Sequence, residues 1–546
     1  MSWTNEYPRP QLKRDSFFSL NGRWELNGKP IEVPFPPQSD LSGYDGAITD
    51  TLTYSRAFRL PEGFRTGKQR VRLHLGAVDQ VSEVQINGTP VARHEGGYLP
   101  FFADITDVLK SGTNQISVRA VDTLSHDYPY GKQSKKRGGM WYTPVSGIWQ
   151  SVWMEAVSEK PIERIKIEPD LEGIELGVEC HGQKCRVEIP GVLTRTIESG
   201  RMTRIDIPSP ILWTPDNPHL YQLILSTDDD RVESYFALRT IETGMVGNLP
   251  RILLNQKPIF INGVLDQGYF TDGLYLPASP EEYEKDVLRM KELGFNLLRK
   301  HAKVEPEAFY YACDRLGMLV MQDMVNNGSY HFLWDTALPN LGFTRRADRC
   351  ASPDADPAKT FFTRHCIATL RHLRNHPCVI AYTIFNEGWG QFNADEHYRI
   401  LKSLDPSRLF DATSGWFAQK KSDLDSRHVY FKNKRLVSNG ELPLLLSECG
   451  GYARPIAGHM FNEHNKYGYG TADTENALTA KIELLWKEMV FPSLADGLCG
   501  VIYTQLSDVE DEINGLYTYD REICKVDAER IRRLCRESQR RLDTMN

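Results

Sequence analysis

Two short apolar runs in this chain each end in a glutamate followed by glycine. The first, AYTIFNEGWG at residues 381–390, is rich in aromatic and β-branched side chains and stops at Asn386 and Glu387. The second, LLLSECGG at residues 444–451, delivers Glu448 and then two glycines. Both read as buried strands, because a short apolar run bounded by glycine suits a strand covered on both faces. Each therefore presents a carboxylate at a strand end. Taken singly, either acid could equally cap the next helix. As a pair, with an amide before one and two glycines after the other, they point to a shared site. Facing carboxylates are what hydrolysis of a glycosidic bond requires, since the leaving oxygen must be protonated and the positive charge developing at the anomeric carbon must be met.

Something must bring two distant strand ends together, and the surrounding pattern supplies it. After about Gly244, candidate strands at 258–263, 296–299, 318–323, 381–386, 409–412, around 428–430, 444–448 and 500–505 alternate with amphipathic helices. One helix is expected to start at Ser279-Pro280, with Pro at its first position and a capping-box glutamate. It should turn Val287, Leu288 and Leu293 inward and stop at Gly294. Another carries Phe309, Tyr310, Cys313 and Leu316 and ends at Gly317, and a third carries Phe361, Ile367, Leu370 and Leu373. Eight strands alternating with helices predict a C-terminal (β/α)8 TIM barrel, in which strand-end groups from different strands converge on one face. Glu387 then ends strand four and Glu448 ends strand seven.

The N-terminal part has a different period. Val71, Leu73 and Leu75 alternate with Arg72 and His74, Val84 and Ile86 run into the turn pair Asn87-Gly88, and Ile116, Val118 and Ala120 alternate again. This predicts a multidomain chain: an N-terminal β-sandwich over 1–157, an immunoglobulin-like sandwich over 158–243 and the barrel over 244–546. The middle module, with Ile165/Ile167 and Val187/Ile189 alternating against charged neighbours, is assigned no chemistry and is expected to hold the first domain against the third.

The bulk numbers fit: 546 residues suit three or four domains, and 40% hydrophobic residues, 25% charged residues and a net charge of −7 describe an ordinary globular protein. That balance predicts no nucleic-acid partner. The absence of an apolar run of about 18 residues and of a basic, apolar start predicts no membrane partner and a cytoplasmic location. The ten cysteines are dispersed, and Cys366, Cys378 and Cys499 sit in apolar contexts that suit reduced core residues. Cys180 and Cys185 have no second pair to complete a metal site, so neither a metal nor another cofactor is expected. A homo-oligomer is allowed.

The motifs resemble glycoside hydrolase family 2, which includes β-galactosidases, β-glucuronidases and β-mannosidases. The Asn386-Glu387 pair matches that family's acid/base at the end of strand four, and Glu448 before Gly450 matches its nucleophile at the end of strand seven. The stretch GGMWYTPVSGIWQ at 138–150 resembles the signature closing the family's jelly-roll sugar-binding domain, while LWTPDNPHLY at 212–221 and FALRTI at 236–241 resemble the end of its second module. The resemblance covers nearly the whole chain. It implies double displacement: Glu448 attacks as a carboxylate, Glu387 starts protonated and later activates water, and Asn386 binds the sugar 2-hydroxyl. Arg299 and His301 resemble the family's Arg and His after strand two, with Arg299 orienting Glu448. Asp266 after strand one stands where many relatives have His, and Trp389, Trp416 and Tyr503 are candidates for stacking on a pyranose.

Two departures bear on the sugar. Trp141 stands where many relatives place an Asp that reaches into the pocket. Residues 512–516 read EINGL where β-glucuronidases carry an Asn and a Lys for the sugar carboxylate. Glu512 there would repel a uronate, whereas Lys132, Lys135, Lys136 and Arg137 offer another route to bind one. The expected substrate is therefore a small-molecule glycoside or oligosaccharide with a terminal β-galactoside-type sugar. The alternative is a β-hexuronide (glucuronide or galacturonide), and a more remote one is a carbohydrate-binding protein without catalysis.

Overall fold

The computed structural model describes residues 2–344, 348 and 356–545. Period-two alternation folds the N-terminal segment into two facing antiparallel sheets of six and four strands. The longest pairing joins Thr51–Phe58 to Asn114–Val121, and Ile116, Val118 and Ala120 point from it into a core shared with Trp24, Leu73 and Val84. Asn87 and Gly88, both at positive φ (53° and 83°), make the two-residue hairpin between Val81–Ile86 and Thr89–Glu95. The second module packs a three-stranded sheet against a four-stranded one around Ile165, Ile167, Val187 and Ile189. Cys180 and Cys185 lie in that core as unbridged, buried thiols. Nine cysteines are free among the described residues, and Cys350 lies outside them.

The middle module touches both neighbours through buried charge. Glu155 of the first domain accepts from Tyr7 (2.8 Å), Arg14 (3.3 Å) and His74 (3.0 Å), and Arg14 also pairs with Asp230 of the second module (2.8 Å). Toward the barrel, Trp213 donates to the Asp314 carbonyl (2.9 Å). Arg239, 1% exposed, donates to the carbonyls of Pro377 (3.0 Å), Val379 (2.8 Å) and Ser407 (3.4 Å).

Eight parallel strands form the barrel: Ile261–Asp266, Leu297–Lys300, Leu319–Asp323, Val379–Asn386, Leu409–Ser414, Asp425–Val429, Leu444–Gly450 and Leu498–Thr504. They pair in the order 5-4-3-2-1-8-7-6. Strands five and six meet through side chains, with Ser414 Oγ 3.3 Å from Ser426 Oγ. Strand one begins three residues later than the sequence pattern suggests, because Lys257–Pro258 is taken by a separate small sheet with Leu249–Leu254.

The helix Glu281–Glu292 makes no side-chain cap bond, so the capping box read at Ser279 is not formed. Its buried stripe is Tyr283, Val287 and Met290, continued by Leu293. Leu288, turned about 100° from Val287, is 51% exposed rather than inward. After strand three the chain adds a π-helical turn, Leu333–Ala337, that no sequence signal marks. No helix among the described residues is long and apolar enough to cross a membrane.

Arg239 is a buried cation hydrogen-bonded only to carbonyls, so its removal takes a donor from Pro377, Ser407 and Val379, of which Val379 keeps Arg408 (2.9 Å). Arg239→Ala is expected to destabilise the protein by about 3 kcal/mol, read as a lower first unfolding transition in calorimetry. An unchanged transition would show that the module is held to the barrel by other contacts.

Candidate active site

Every residue of strand four from Val379 to Phe385 is buried, as expected for a parallel strand covered on both faces. Where it ends, Glu387 adopts φ +54°, a left-handed conformation that costs a non-glycine residue free energy and tends to mark functional positions. Its N–H donates to the Ser414 carbonyl at the end of strand five (2.9 Å), which fixes the turn. Gly388 follows at φ +73°, and a Cβ there would lie 2.1 Å from the Phe417 ring. At strand seven, Gly450 is at φ +80°, and a Cβ would lie 2.3 Å from the Tyr503 ring. The glycines after both acids are thus required by close approach of aromatic rings.

Arg299, fully buried on strand two, is the centre of the site. Its Nη1 donates to Glu448 Oε1 (3.0 Å) and to the Ser447 carbonyl (3.0 Å), its Nη2 to Asn386 Oδ1 (2.8 Å), and its Nε to Asp323 Oδ1 (3.0 Å). Asp323 also holds His301 Nδ1 at 2.5 Å. The Tyr430 hydroxyl donates to Glu448 Oε2. His428 Nδ1 lies 2.8 Å from Glu387 Oε1 and 3.6 Å from Glu448 Oε2, while its Nε2 is 2.8 Å from Ser414 Oγ. One oxygen of each glutamate and a His428 nitrogen all lie within 4.8 Å of one another. That separation fits direct attack by one carboxylate and leaves too little room for a water between them.

Burial alone would push the Glu448 carboxyl up, but His428, Arg299, His301 and the Tyr430 hydroxyl outweigh it and hold the group at about 2. Asp323 is likewise held at about 2 against its burial, by Arg299 and His301. Glu448 is therefore a carboxylate across the neutral range.

Asn386, Arg299, His301, Glu387 and Glu448 thus come together at one end of the barrel. Trp141, from the first domain, reaches the same mouth: its ring centre is 5.0 Å from Trp389 and 5.0 Å from Tyr330. Trp416 lies edge-on to His428 (5.6 Å), and its Nε1 is 3.1 Å from the Glu387 carbonyl. Asp266 takes Lys300 (2.6 Å) and the Gly268 N–H (2.8 Å) in a buried ion pair at the end of strand one. One expectation is corrected. Tyr503, 1% exposed, packs under Gly450 in the apolar core and offers no face to a sugar.

His428 and Tyr430 were missed as site residues. Their spacing of two, which puts both on one face of strand six, was the available signal. Linear spacing also suggested no metal-ligand set, whereas the fold does assemble Glu387, His428 and Glu448 closely enough to hold an ion. The Arg299 guanidinium already bonded to Glu448 supplies a positive charge at that spot, which disfavours a divalent cation beside it.

A barrel with two facing strand-end carboxylates, preceded by two β-sandwiches, is the architecture of a large class of enzymes acting on glycosides. The model of the glycosyl hydrolases family 2 sugar binding domain matches residues 6–156, the glycosyl hydrolases family 2 model matches 164–239, and the family 2 TIM barrel domain model matches 248–449. The chain belongs to glycosyl hydrolases family 2.

It is 26% identical over 383 residues to a β-galactosidase of Thermoanaerobacter pseudethanolicus, covering 65% of this chain and 47% of that protein. It is 25% identical over 500 residues to a putative β-glucuronidase of Formosa agariphila, covering 84% and 43%. The chain thus spans less than half the length of these relatives. Among solved structures, the β-D-glucuronidase of Dictyoglomus thermophilum superposes with a TM-score of 0.75 at 19% identity, over 97% of this chain and 98% of that one. The β-galacturonidase of Eisenbergiella tayi bound to galacturonate gives 0.70 at 21%, over 96% and 98%. At these identities the likeness is one of fold.

The Tyr430 hydroxyl helps hold Glu448 ionised, so Tyr430→Phe should raise the Glu448 pKa. Activity that needs the carboxylate is present above that pKa and lost as pH falls through it. The acidic limb of kcat/KM on an aryl β-glycoside is therefore expected to move to higher pH by about one unit. An unmoved limb would show that Tyr430 does not tune this group.

Proposed function

We propose that the protein is a retaining exo-β-glycosidase working by double displacement. The observation that carries this is the close pair Glu387/Glu448, with one member ionised by Arg299 and Tyr430 and the other held by His428. Glu448 attacks the anomeric carbon while Glu387 gives its proton to the leaving oxygen. Glu387, now a carboxylate, then takes a proton from the water that releases the sugar. Asn386 gives its Oδ1 to Arg299, which leaves its amide nitrogen to donate to the sugar 2-hydroxyl. Trp141 and Trp389 wall the mouth from two domains, which suits a terminal sugar.

The glycone is a neutral, β-galactoside-type sugar. Beyond strand eight, Glu512 is buried and accepts from the Tyr142 hydroxyl and from Asn514 Nδ2 (2.9 Å). Burial pushes its carboxyl up, the Tyr142 hydroxyl and Lys132 draw it down, and the Glu448 charge adds to the upward push. A uronate arriving there would meet Glu512 as well as Lys132, whereas hydroxyls can donate to Glu512 without adding charge.

A hexuronide is the second reading, and Lys132 favours it. Of the basic run, Lys135 faces Asp50 (3.9 Å) and Arg137 faces Glu510 (3.7 Å) and Asp511 (3.8 Å). Lys132 instead turns to the aromatic wall, 5.7 Å from the Trp141 ring and 5.9 Å from that of Trp389.

Two measurements test the proposal. Glu448→Ala should abolish turnover, and azide should partly restore it with an α-configured glycosyl azide; an α-azide from Glu387→Ala instead would reverse the roles. On nitrophenyl substrates, kcat/KM for β-galactoside should exceed that for β-glucuronide and β-galacturonide. A tenfold preference for a hexuronide, about 1.4 kcal/mol, overturns the neutral-sugar reading, and its selective loss in Lys132→Ala would locate the carboxylate's partner.

A further inference from the structure

The imidazole of His428 is fully buried between the two glutamates, so both ring nitrogens have to find partners inside the protein. Nδ1 is 2.8 Å from Glu387 Oε1, and Nε2 is 2.8 Å from the Ser414 hydroxyl at the end of strand five. Gly415 lets the ring come this close, since a Cβ there would lie 2.9 Å from it. Which nitrogen carries hydrogen is fixed by the partner of the other. Here Ser414 is that partner.

Ser414 belongs to a buried cluster with Ser426 of strand six and Ser447 of strand seven. Four contacts run through it: His428 Nε2 to Ser414 at 2.8 Å, Ser414 to Ser447 at 3.1 Å, Ser426 to Ser447 at 2.6 Å, and Ser447 to the Arg427 carbonyl at 3.2 Å. Each hydrogen bond needs a proton, a hydroxyl has only one to give, and a carbonyl has none. The serines therefore supply three of the four. The fourth must come from Nε2. Arg299 does not provide it, for its Nη1 is 3.5 Å from Nε2 and spends its two protons on the Ser447 carbonyl and Glu448 Oε1, both at 3.0 Å. The direction is then set along the whole path: His428 donates to Ser414, Ser414 to Ser447, and Ser447 to a carbonyl that can only accept.

A neutral imidazole has one N–H, so with Nε2 protonated the Nδ1 lone pair faces Glu387. An ionised Glu387 would set lone pair against lone pair across 2.8 Å, so this bond has to contain a second proton. The opposite tautomer would fill the bond with the imidazole's own proton. Glu387 would then rest as a carboxylate with nothing to give a leaving group.

We infer that Ser414 and Ser447 are positioning residues that hold His428 with Nε2 protonated and thereby store an additional proton between Nδ1 and Glu387. Glu387 passes that proton to the leaving oxygen as the glycosidic bond breaks, and the proton it takes from water in the second half-reaction refills the same bond. The use of the proton rests on the glycosidase reading; its location does not.

NMR of protein with isotope-labelled histidine nitrogens tests the location without any substrate, the His428 signals being those lost in His428→Gln. Nε2 should carry hydrogen in the unaltered protein and lose it in Ser414→Ala, where its acceptor is gone while the Glu387 N–H keeps the Ser414 carbonyl. An unprotonated Nε2 in the unaltered protein overturns the inference. Hydrolysis tests the use. General acid catalysis is typically worth about a hundred- to ten-thousand-fold, and a good leaving group has little need of it. Ser414→Ala and Ser447→Ala should therefore each lose about tenfold more kcat/KM, or beyond, on a phenyl β-glycoside than on the dinitrophenyl β-glycoside of the same sugar. Ser426→Ala, which leaves the path from Nε2 to the Arg427 carbonyl intact, should keep the ratio of the unaltered enzyme. Equal losses on both substrates, or a change in Ser426→Ala as large as that in Ser414→Ala, overturn the positioning role. No hydrolysis by the unaltered protein would refute the glycosidase reading alone, as the NMR readout needs no substrate.

Discussion

The Arg299 guanidinium holds the catalytic end of the barrel together. It is fully buried and reaches a carboxylate on strand seven, another on strand three and an amide on strand four. A cation removed from water is strongly disfavoured unless its donors are matched, and here Glu448, Asp323, Asn386 and the Ser447 carbonyl match them. The same bonds set the reactivity of the site. By lying against Glu448, Arg299 helps keep that carboxylate ionised in an apolar surrounding, and by fixing Asn386 it leaves the amide nitrogen as the donor. The group that pays for burial of the pair therefore also orients it.

Around that centre, the first domain completes the pocket. Tyr142 donates to Glu512, and the Thr143 N–H donates to Glu510 (2.9 Å), so the loop after strand eight is pinned by residues next to Trp141. Tyr130 reaches the loop after strand three, its N–H on the Asn326 carbonyl (3.1 Å) and its hydroxyl on that of Gly328 (2.7 Å). These bonds position Lys132 and Trp141 at the barrel mouth. The mouth of the barrel is accordingly built across a domain boundary, with the paired glutamates from one domain and part of the wall from another.

Strain and close packing appear at the same places. Glu387 sits at positive φ, and both strand-end glycines lie under aromatic rings. Ser414 holds the Glu387 N–H, and the Phe417 and Tyr503 rings pack against the two glycines, so the carboxylates emerge from a closely packed floor.

The two sandwiches, the eight barrel strands and the two strand-end glutamates that meet at one end of the barrel were legible in the sequence. Strand periodicity and strand-end glycines are local signals that report burial directly. Arg299 and His301 were legible only through resemblance. Other features depended on tertiary structure for physical reasons. Whether Leu288 or Leu293 turns inward is settled by the angle at which a helix meets its neighbours, and the start of strand one was moved by a competing small sheet. The polar residues at strand ends could not be sorted from sequence into substrate-facing and structural groups. Asp266 is engaged by Lys300, while His428 and Tyr430 are turned onto the glutamates, and only the spatial meeting of strands two, four, six and seven selects among these partners. The sequence determined which groups could do the chemistry; long-range packing decided which of them meet, because hydrogen-bond partners far apart in the chain are chosen by where the barrel places them.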